Sequence, residues 1–230
     1  MTARAWPPEG LSHRGPAYAQ SRSENLTAAA GRRRLLDTRI PDCPRQNFRI
    51  MEPKYAVIVI DMLNDFVTGP ISSPRVHHII EPIRHLCEKA RAHDVPVIYA
   101  NDCHTPKVDN EFKVWGSHAV VGTKGAEVIY ELAPREGDHI VPKKTYSAFF
   151  ETPLDLILRE LGVDTVIITG WQADCCCRHT AADAFFRGFR IVVPKETTDT
   201  TTEEGYVGGL EYIKKIYGGV ICSVDDIFKE

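Results

Sequence analysis

Three consecutive cysteines, Cys175 to Cys177, are the residues whose type and spacing most directly suggest covalent chemistry. They lie within the stretch Gly170–Ala181, which reads GWQADCCCRHTA. An apolar run at 163–169 precedes them and the segment 182–186 follows, which predicts a buried strand, a tight turn and a helix. We expect the three thiols in the first helical turn, where unpaired N–H groups and the helix dipole favour the thiolate. Cysteine is also a common small residue of apolar cores, so the pattern alone does not say which thiol reacts.

A carboxylate and an ammonium group follow two other predicted strands. Asp61 ends the apolar run Tyr55–Ile60, where an ionised carboxylate costs free energy unless it has a partner or a task. Lys143 follows the short run 138–141. Asp61 is otherwise explained as a turn or helix-capping residue, and Lys143 as a solvated surface charge. Together with a cysteine they form a working set, because Asp61 can take the thiol proton and Lys143 can favour both the carboxylate and the thiolate.

The long loop at 101–125 carries candidate metal ligands. Asp102 and His104 are two positions apart, and His118 follows in the same loop. These residues supply mixed oxygen and nitrogen ligands suited to Zn²⁺, Fe²⁺ or Mn²⁺, although Asp-x-His is a weak motif when taken alone. Loops of this length inside a compact α/β domain usually carry function, so we expect this one to form part of a site.

The elements that must position these residues alternate between strand and helix. This alternation predicts an α/β fold with a doubly wound, mostly parallel sheet of about six strands and helices on both faces. Because active sites in such sheets lie beyond the carboxyl ends of the strands, we expect the acidic, basic and cysteine candidates to converge there. The predicted strands are 55–60, 95–100, 138–141, 163–169, 189–193 and 220–223, and the predicted helices are 76–93, 152–161, the cysteines to about 187, and 203–217.

Composition excludes several classes of function. At 230 residues and 43 % hydrophobic, the chain suits one ordinary globular domain. Its net charge of −3 gives no general attraction to nucleic acid or to a membrane, and no apolar run approaches the length of a membrane span. Seven cysteines without a Cys-x-x-Cys pair indicate a reducing compartment and a cytoplasmic location. A small molecule is the expected substrate, and we expect the chain to assemble as a homo-oligomer.

Residues 1–50 differ from the rest of the chain. They contain five prolines, nine Arg, no Lys and four acidic residues, and they show no apolar periodicity. This composition predicts a disordered N-terminal extension, followed by one compact domain at 51–230. Met51 immediately precedes the first strand, so the extension is explained either by an over-called translation start or by an Arg-rich organelle transit peptide.

Several separate motifs resemble those of one enzyme superfamily. The segments 59–66 (VIDMLNDF) and 143–149 (KKTYSAF), together with the cysteine stretch, resemble the isochorismatase-like cysteine hydrolases. Within that superfamily, NDCH at 101–104 and WGSHAVVGTKG at 115–125 look like the nicotinamidases. The resemblance extends from about residue 54 to the C-terminus. It implies an isochorismatase-like hydrolase domain that converts nicotinamide to nicotinate and ammonia through a thioester intermediate, a reaction of NAD salvage.

The resemblance also implies which residues are catalytic. The family's aspartate matches Asp61, and its lysine, four positions before the serine of the Ser-Ala-Phe motif, matches Lys143 rather than Lys144. The family's nucleophile lies six positions after the glycine and four before the threonine of its signature, which selects Cys176. The two flanking cysteines then become packing neighbours of the nucleophile, and His179 is interpreted as structural.

A second implication concerns the backbone before the nucleophile. The resemblance implies a cis, non-proline peptide bond between Trp171 and Gln172. This bond would aim the backbone N–H of Gln172, together with that of Cys176, at the oxyanion that develops during attack.

The metal and substrate residues also have matches in the family. Asp102, His104 and His118 match its metal ligands, and Zn²⁺ is the expected ion, with Fe²⁺ or Mn²⁺ as alternatives. Some nicotinamidases recruit a fourth side chain from this loop, and here Glu111, Asp109 or water could complete the shell. Such a metal would bind the pyridine ring nitrogen.

Two aromatic residues match those that sandwich the ring in the family. They are Phe66 and Trp115, and ordinary core packing explains Phe66 equally well.

Two other functions stay open at this stage. One is a metal-free relative that hydrolyses another small carboxamide or ureido compound, such as N-carbamoylsarcosine or a ureidoacrylate. The other is a thiol redox or metal-storage protein that uses the cysteine triplet, which leaves Asp61 and Lys143 without a role.

Overall fold

A computed structural model describes residues 54–228, in which helices and strands alternate as the sequence predicts. The predicted extension at 1–50 lies outside these residues. None of the helices in the described part of the chain has the length and hydropathy needed to cross a membrane. The strands are β1 Tyr55–Ile60, β2 Val97–Asp102, β3 His139–Lys143, β4 Thr165–Trp171, β5 Arg190–Pro194, β6 Thr198–Asp199 and β7 Val220–Cys222. The helices are α1 Asn64–Val67, α2 His77–Ala92, α3 Phe112–Trp115, α4 Leu154–Glu160, α5 Cys176–Phe186 and α6 Glu203–Tyr217.

The strands form one parallel sheet in the order β3-β2-β1-β4-β5-β7, and β6 pairs with β4 as a further strand of this 7-stranded sheet. The structure confirms the doubly wound α/β fold with helices on both faces. The additional strand, β6, contains only Thr198 and Asp199, which is too short for hydrophobic periodicity to predict.

The register of the sheet brings the carboxyl ends of its central strands to one edge. Ile60, the last residue of β1, pairs with Ala100 on one side and with Gly170 on the other. Asp102 of β2 pairs with Lys143 of β3. Side chains that end or follow these strands are therefore neighbours in space, although they are far apart in the chain.

Helices cover both faces of the sheet. On one face α2 packs through Ile79, Ile83 and Leu86, and on the other α4 and α6 pack through residues such as Leu158 and Ile213. Because β1 is apolar on both sides, its successive residues enter the two clusters alternately, as expected of a central strand. Full burial of a Leu or Ile side chain contributes about 1.5–3 kcal/mol relative to exposure, so these two layers hold the strand ends in place.

Some boundaries differ from the prediction. β2 continues through Asn101 and Asp102, which are polar but buried and pair with β3, so hydrophobic periodicity did not detect them. β4 also ends later than predicted, at Trp171. α5 begins at Cys176, with Cys175 at the preceding cap position, so the expectation that all three thiols lie in the first helical turn is wrong by one residue.

The ends of β1 and β4 approach closely at Gly170. This residue has φ of +110°, and a Cβ atom there would lie 2.0 Å from the carbonyl oxygen of Ile60. Only glycine fits, because a side chain would force the two strand ends apart. The end of β4 thus stays next to Asp61.

Candidate active site

Lys143, the last residue of β3, lies buried at the centre of the converging strand ends. Its Nζ atom is 2.7 Å from Oδ2 of Asp61 and 2.5 Å from Oδ1 of Asp102. The same atom is 3.9 Å from Sγ of Cys176. The neighbouring Lys144 is exposed, so Lys143 is the lysine that the structure brings together with the predicted base and nucleophile.

The Asp61 carboxylate is fixed by the neighbouring strand. Its Oδ1 atom accepts a hydrogen bond from the backbone N–H of Asp102 at 2.7 Å, and its own N–H donates to Oδ1 of Asn101 at 3.1 Å. Asp61 has φ of +53°, a left-handed conformation that non-glycine residues seldom adopt and that is often found at functional sites. The conformation and the two hydrogen bonds aim the free carboxylate oxygen toward Lys143.

The three buried charges shift one another's pKa values in opposite directions. Burial and the nearby Asp102 carboxylate raise the pKa of Asp61 to about 7, although Lys143 opposes this shift. Burial also raises the pKa of Asp102, but Lys143 and His104 outweigh it and hold this pKa at about 2. Burial lowers the pKa of Lys143, but the two carboxylates together raise it by more than burial lowers it. The pKa of Lys143 therefore lies well above its usual value. Asp61 is therefore the member of this group that can exchange a proton near neutral pH.

The two residues predicted to supply oxyanion donors, Gln172 and Cys176, lie at the start of α5 and in the turn before it. Cys176 is the first residue of α5, and the first N–H groups of a helix need partners from outside the helix. The peptide bond between Trp171 and Gln172 is cis, as the resemblance implies. Gln172 and Cys176 line one pocket, which places both predicted oxyanion donors beside the space where a substrate would bind.

The two flanking cysteines have different surroundings. Cys177 is completely buried, and its Sγ atom is 3.5 Å from both the carbonyl oxygen of Gly170 and Oγ1 of Thr198. This is the environment of a packing residue, as expected. Cys175 instead lines the pocket next to Cys176.

Cys175 and Cys176 also influence each other's ionisation. A hydrogen bond from the Cys176 thiol, supported by His179, lowers the pKa of Cys175 to about 6. The same hydrogen bond, together with burial, raises the pKa of Cys176. Cys176 therefore needs a base to become a thiolate, and Asp61, which contacts the same Nζ atom of Lys143, has a pKa suited to that task.

A cluster of buried metal-ligating atoms lies beside this group. Nε2 of His104 is 3.6 Å from Oδ2 of Asp102 and 3.8 Å from Oε2 of Glu111. Nε2 of His118 is 3.8 Å from the same Asp102 oxygen. The ligand atoms of the cluster all lie within 4.8 Å of one another. Tetrahedral ligands with bonds of about 2.0–2.2 Å lie about 3.3–3.6 Å apart. The three shortest separations, 3.6–3.8 Å, are close to that spacing, and small side-chain movements would bring the cluster around a first-row divalent ion.

The hydrogen bonds of the two imidazoles also favour metal binding. Nδ1 of His104 lies 3.2 Å from Oδ2 of Asp109, and Nδ1 of His118 lies 2.8 Å from the carbonyl oxygen of Gly116. Acceptors at Nδ1 favour the tautomer that leaves Nε2 free to bind a metal. Among the described residues, Nε2 of His104 and Oε1 of Glu111 are buried without a hydrogen-bond partner, which is unusual for polar atoms. The side chains therefore fit a divalent metal, with Glu111 in the fourth position.

A pocket of about 210 Å³ lies between the thiols and this cluster. Phe66 is buried at its wall, with its ring 5.6 Å from that of His118. Trp115 is 40 % exposed at the end of α3, and its Nε1–H donates to the hydroxyl oxygen of Tyr146 at 3.2 Å. Both aromatic residues predicted to hold a ring thus line the pocket. Among the described residues that line it, two are acidic and none is Arg or Lys.

Three supporting residues were not singled out from the sequence. Asp65 accepts the backbone N–H of Ala119 at 2.8 Å and so holds the loop that carries His118. Tyr146 accepts a hydrogen bond from Trp115, and Asn101 accepts one from the backbone N–H of Asp61. All three lie inside the matching motifs, which is the signal that could have identified them.

The chain matches the isochorismatase domain family over residues 55–226. N-carbamoylsarcosine amidase from an Arthrobacter species is 35 % identical over 153 residues, which cover 62 % of this chain and 58 % of that protein. The chain thus spans less than two thirds of that relative's length. Nicotinamidase 3 from Arabidopsis thaliana is 34 % identical over 154 residues, which cover 65 % of this chain and 75 % of the relative.

Solved structures show the same similarity. N-carbamoylsarcosine amidase from Thermoplasma acidophilum has 39 % identity and a TM-score of 0.72, with 76 % of this chain and 99 % of that chain covered. Pyrazinamidase of Pyrococcus horikoshii in complex with zinc has 30 % identity and a TM-score of 0.68, with 74 % and 99 % covered. Relatives named for different amides occur at comparable identity, so similarity alone does not choose the substrate.

Proposed function

The chain belongs to the isochorismatase family, and from that premise we propose that it is a cysteine-dependent amidohydrolase that converts nicotinamide to nicotinate and ammonia. The observation that carries this proposal is the buried metal-ligand cluster in the same pocket as Cys176. Such an enzyme would serve NAD salvage, and its free cysteines suit the reducing cytoplasm.

The charge of the pocket supports a neutral substrate. N-carbamoylsarcosine and ureidoacrylates carry a carboxylate, and the described residues that line the pocket include no Arg or Lys to pair with it. Burying a carboxylate without such a partner costs free energy, which disfavours these substrates. Nicotinamide has no net charge, and its flat ring suits the space beside Phe66 and Trp115.

The residues of the cluster would hold a divalent metal, with zinc as the first expectation and iron or manganese as alternatives. When bound, this metal would supply a Lewis acid that binds the ring nitrogen of the substrate. The chain itself orients the ring, because Phe66 and Trp115 confine its position and leave the carboxamide facing Cys176.

The proton transfers fall to Asp61. It would take the proton of Cys176, whose sulfur then attacks the carboxamide carbon, while Lys143 stabilises the charged groups. The backbone N–H groups of Gln172 and Cys176 would bind the oxyanion. Asp61 would then protonate the departing ammonia, and water would hydrolyse the thioester to nicotinate and restore the thiol.

A second candidate is an amidase for N-carbamoylsarcosine or a related ureido compound, which the similarity to N-carbamoylsarcosine amidases favours. A thiol redox or metal-storage function ranks below both, because it gives no role to the buried Asp61 and Lys143.

Ammonia release from the purified protein tests the proposal. We expect release from nicotinamide, little or none from N-carbamoylsarcosine, and metal bound in stoichiometric amount. Cys176→Ala should abolish ammonia release while circular dichroism shows the fold unchanged. Metal-free protein that releases ammonia from N-carbamoylsarcosine but not from nicotinamide would refute the proposal in favour of the second candidate.

A further inference from the structure

Two adjacent thiols share one wall of the pocket. Cys175 occupies the cap position of α5 and Cys176 is its first residue, and both are free cysteines that line the pocket. They are consecutive in the chain, and each contributes to the surface of the same pocket. They therefore form a vicinal dithiol that faces the space which small molecules enter.

The third cysteine does not take part in this pair. The Sγ atom of Cys177 contacts the carbonyl oxygen of Gly170 and Oγ1 of Thr198, and Cys177 is completely buried. It is not one of the residues that line the pocket. The geometry thus singles out the pair of Cys175 and Cys176 from the triplet.

His179 gives Cys175 a different environment from Cys176. Its Nδ1 atom lies 2.8 Å from the carbonyl oxygen of Cys175, which holds the imidazole beside that residue. The His179 ring lies 5.4 Å from that of Tyr146 at the pocket wall. An adjacent imidazole favours the thiolate, which is the form of cysteine that reacts with peroxides. The lowered pKa of Cys175, about 6, agrees with this placement.

We propose that Cys175 and Cys176 are a reversible modification site, at which hydroperoxides convert the two thiols to a disulfide and so occupy the nucleophile. The loss of amide hydrolysis rests on the proposed function. The formation of the disulfide does not.

The chemistry balances with hydrogen peroxide as the oxidant. The Cys175 thiolate attacks a peroxide oxygen, so that an S–O bond forms, the O–O bond breaks, and hydroxide leaves and is protonated to water. The sulfur of Cys176 then attacks the sulfenic sulfur of Cys175, forming the S–S bond and breaking the S–O bond. Hydroxide leaves and takes the Cys176 proton as water. Overall, two thiols lose their hydrogens and one peroxide is reduced to two waters.

The bond between neighbours should be easy to reduce. Adjacent Cα atoms lie about 3.8 Å apart, whereas disulfides usually join Cα atoms about 4.4–6.8 Å apart. A strained disulfide has a more oxidising potential and belongs to the labile, regulatory class. Disulfide formation would thus protect Cys176 from irreversible oxidation. Thiol reductants would later reduce the disulfide and restore the Cys176 thiol.

Peptide mass spectrometry on the full-length protein tests the proposal. Trypsin cleavage after Arg159 and Arg178 yields the peptide 160–178, which contains the cysteine triplet and no other cysteine. After hydrogen peroxide treatment we expect this peptide to lose two hydrogen atoms and to accept iodoacetamide only at Cys177. Dithiothreitol should restore alkylation at all three thiols and, in parallel, ammonia release.

Two variants separate the pair from its neighbour. Cys177→Ser is the matched control and should form the disulfide as the wild type does. Cys175→Ser should form none, and its peptide should gain oxygen at Cys176 with a loss of activity that dithiothreitol does not reverse. Cys175→Ala repeats the test if circular dichroism shows that the serine variant is unfolded.

The outcomes that overturn the proposal are specific. They are a wild-type peptide that gains oxygen without losing hydrogen, or a disulfide that persists in Cys175→Ser. If untreated protein releases no ammonia from nicotinamide, the proposed function fails, and the mass measurement still decides whether the disulfide forms.

Discussion

The pocket has two halves that are built in different ways. The strand-end half comprises Asp61, Lys143 and Cys176, which are at most 6 % exposed and are carried by the sheet and the helix that follows it. The loop half is the segment 104–118, which lies between β2 and β3 and contains the short helix α3. Trp115, the last residue of α3, is 40 % exposed. The first half is positioned by strand register, and the second by one short backbone bridge at His104 together with side-chain hydrogen bonds.

The two halves of the pocket therefore differ in how firmly their side chains are positioned. Backbone pairing and two apolar layers fix the strand-end half. Groups that exchange protons must be held within about 0.5 Å of the productive geometry, and this kind of support provides that precision. Side-chain hydrogen bonds support the loop half: Tyr146 accepts from Trp115, Asp109 bonds His104 and Thr105 within the loop, and Asp65 accepts from Ala119 at its end. We therefore expect changes in the strand-end half to lower kcat, and changes in the loop half to weaken metal or substrate binding.

The largest effect should come from Asp61→Asn. Asparagine keeps the acceptor for the Asp102 N–H but cannot take the thiol proton. Loss of a general base lowers kcat by about 10²–10⁴-fold, and we expect KM for nicotinamide and the metal content to change little. Steady-state kinetics and metal analysis check this. A kcat within a few fold of wild type would remove Asp61 from its assigned role.

A smaller effect should come from the loop half with His104→Ala. This change removes one of the ligating atoms around Asp102. We expect metal content to fall and kcat/KM to drop by at least about 10–100-fold, since losing even a residue that supports a ligand has that effect. Treating the wild type with a chelator should reproduce the change. The matched control, His78→Ala on the exposed side of α2, should keep both metal and activity; unchanged metal in His104→Ala would show that the cluster does not bind it.

The smallest effect should come from Tyr146→Phe, which removes only the acceptor for the Trp115 indole N–H. A neutral hydrogen bond contributes about 0.5–1.5 kcal/mol, so KM should rise about two- to tenfold with kcat retained. The control Tyr130→Phe alters a tyrosine that is 92 % exposed and should leave both constants unchanged. A fall in kcat without a change in KM would place Tyr146 with the strand-end half instead.

The fold was predictable where one local signal dominated. β1 at Tyr55–Ile60 is a continuous apolar run, and its predicted bounds are those of the structure. α6 was also predicted at its observed bounds, and the structure shows that Thr202 caps its first turn and that Gly218 ends it with φ of +67°. β6 was missed because its two residues pair with β4 through tertiary contacts that leave no periodic pattern.

In the candidate site, the residues at the strand ends were predictable from the sequence, but the fourth metal ligand was not. Topology indicated that Asp61, Lys143 and the cysteines meet, and the structure places them together. The choice between Glu111 and Asp109 depends on how the loop folds, which no local pattern specifies, and the structure puts Glu111 in the cluster and Asp109 behind His104.

The contact between Gly170 and Ile60 has a consequence for protein engineering. Because backbone lies against backbone there, the separation of the two strand ends that precede Asp61 and Cys176 is set by the main chain. If residues 170–186 were transplanted into another parallel sheet, the two strand ends would keep this separation only if the neighbouring host strand placed a backbone carbonyl opposite the glycine, as Ile60 does here. A host that retained a side chain at the glycine position would hold the base and the thiol too far apart. Grafts of this reaction should therefore be chosen by the fit of two strand backbones before any catalytic side chain is introduced.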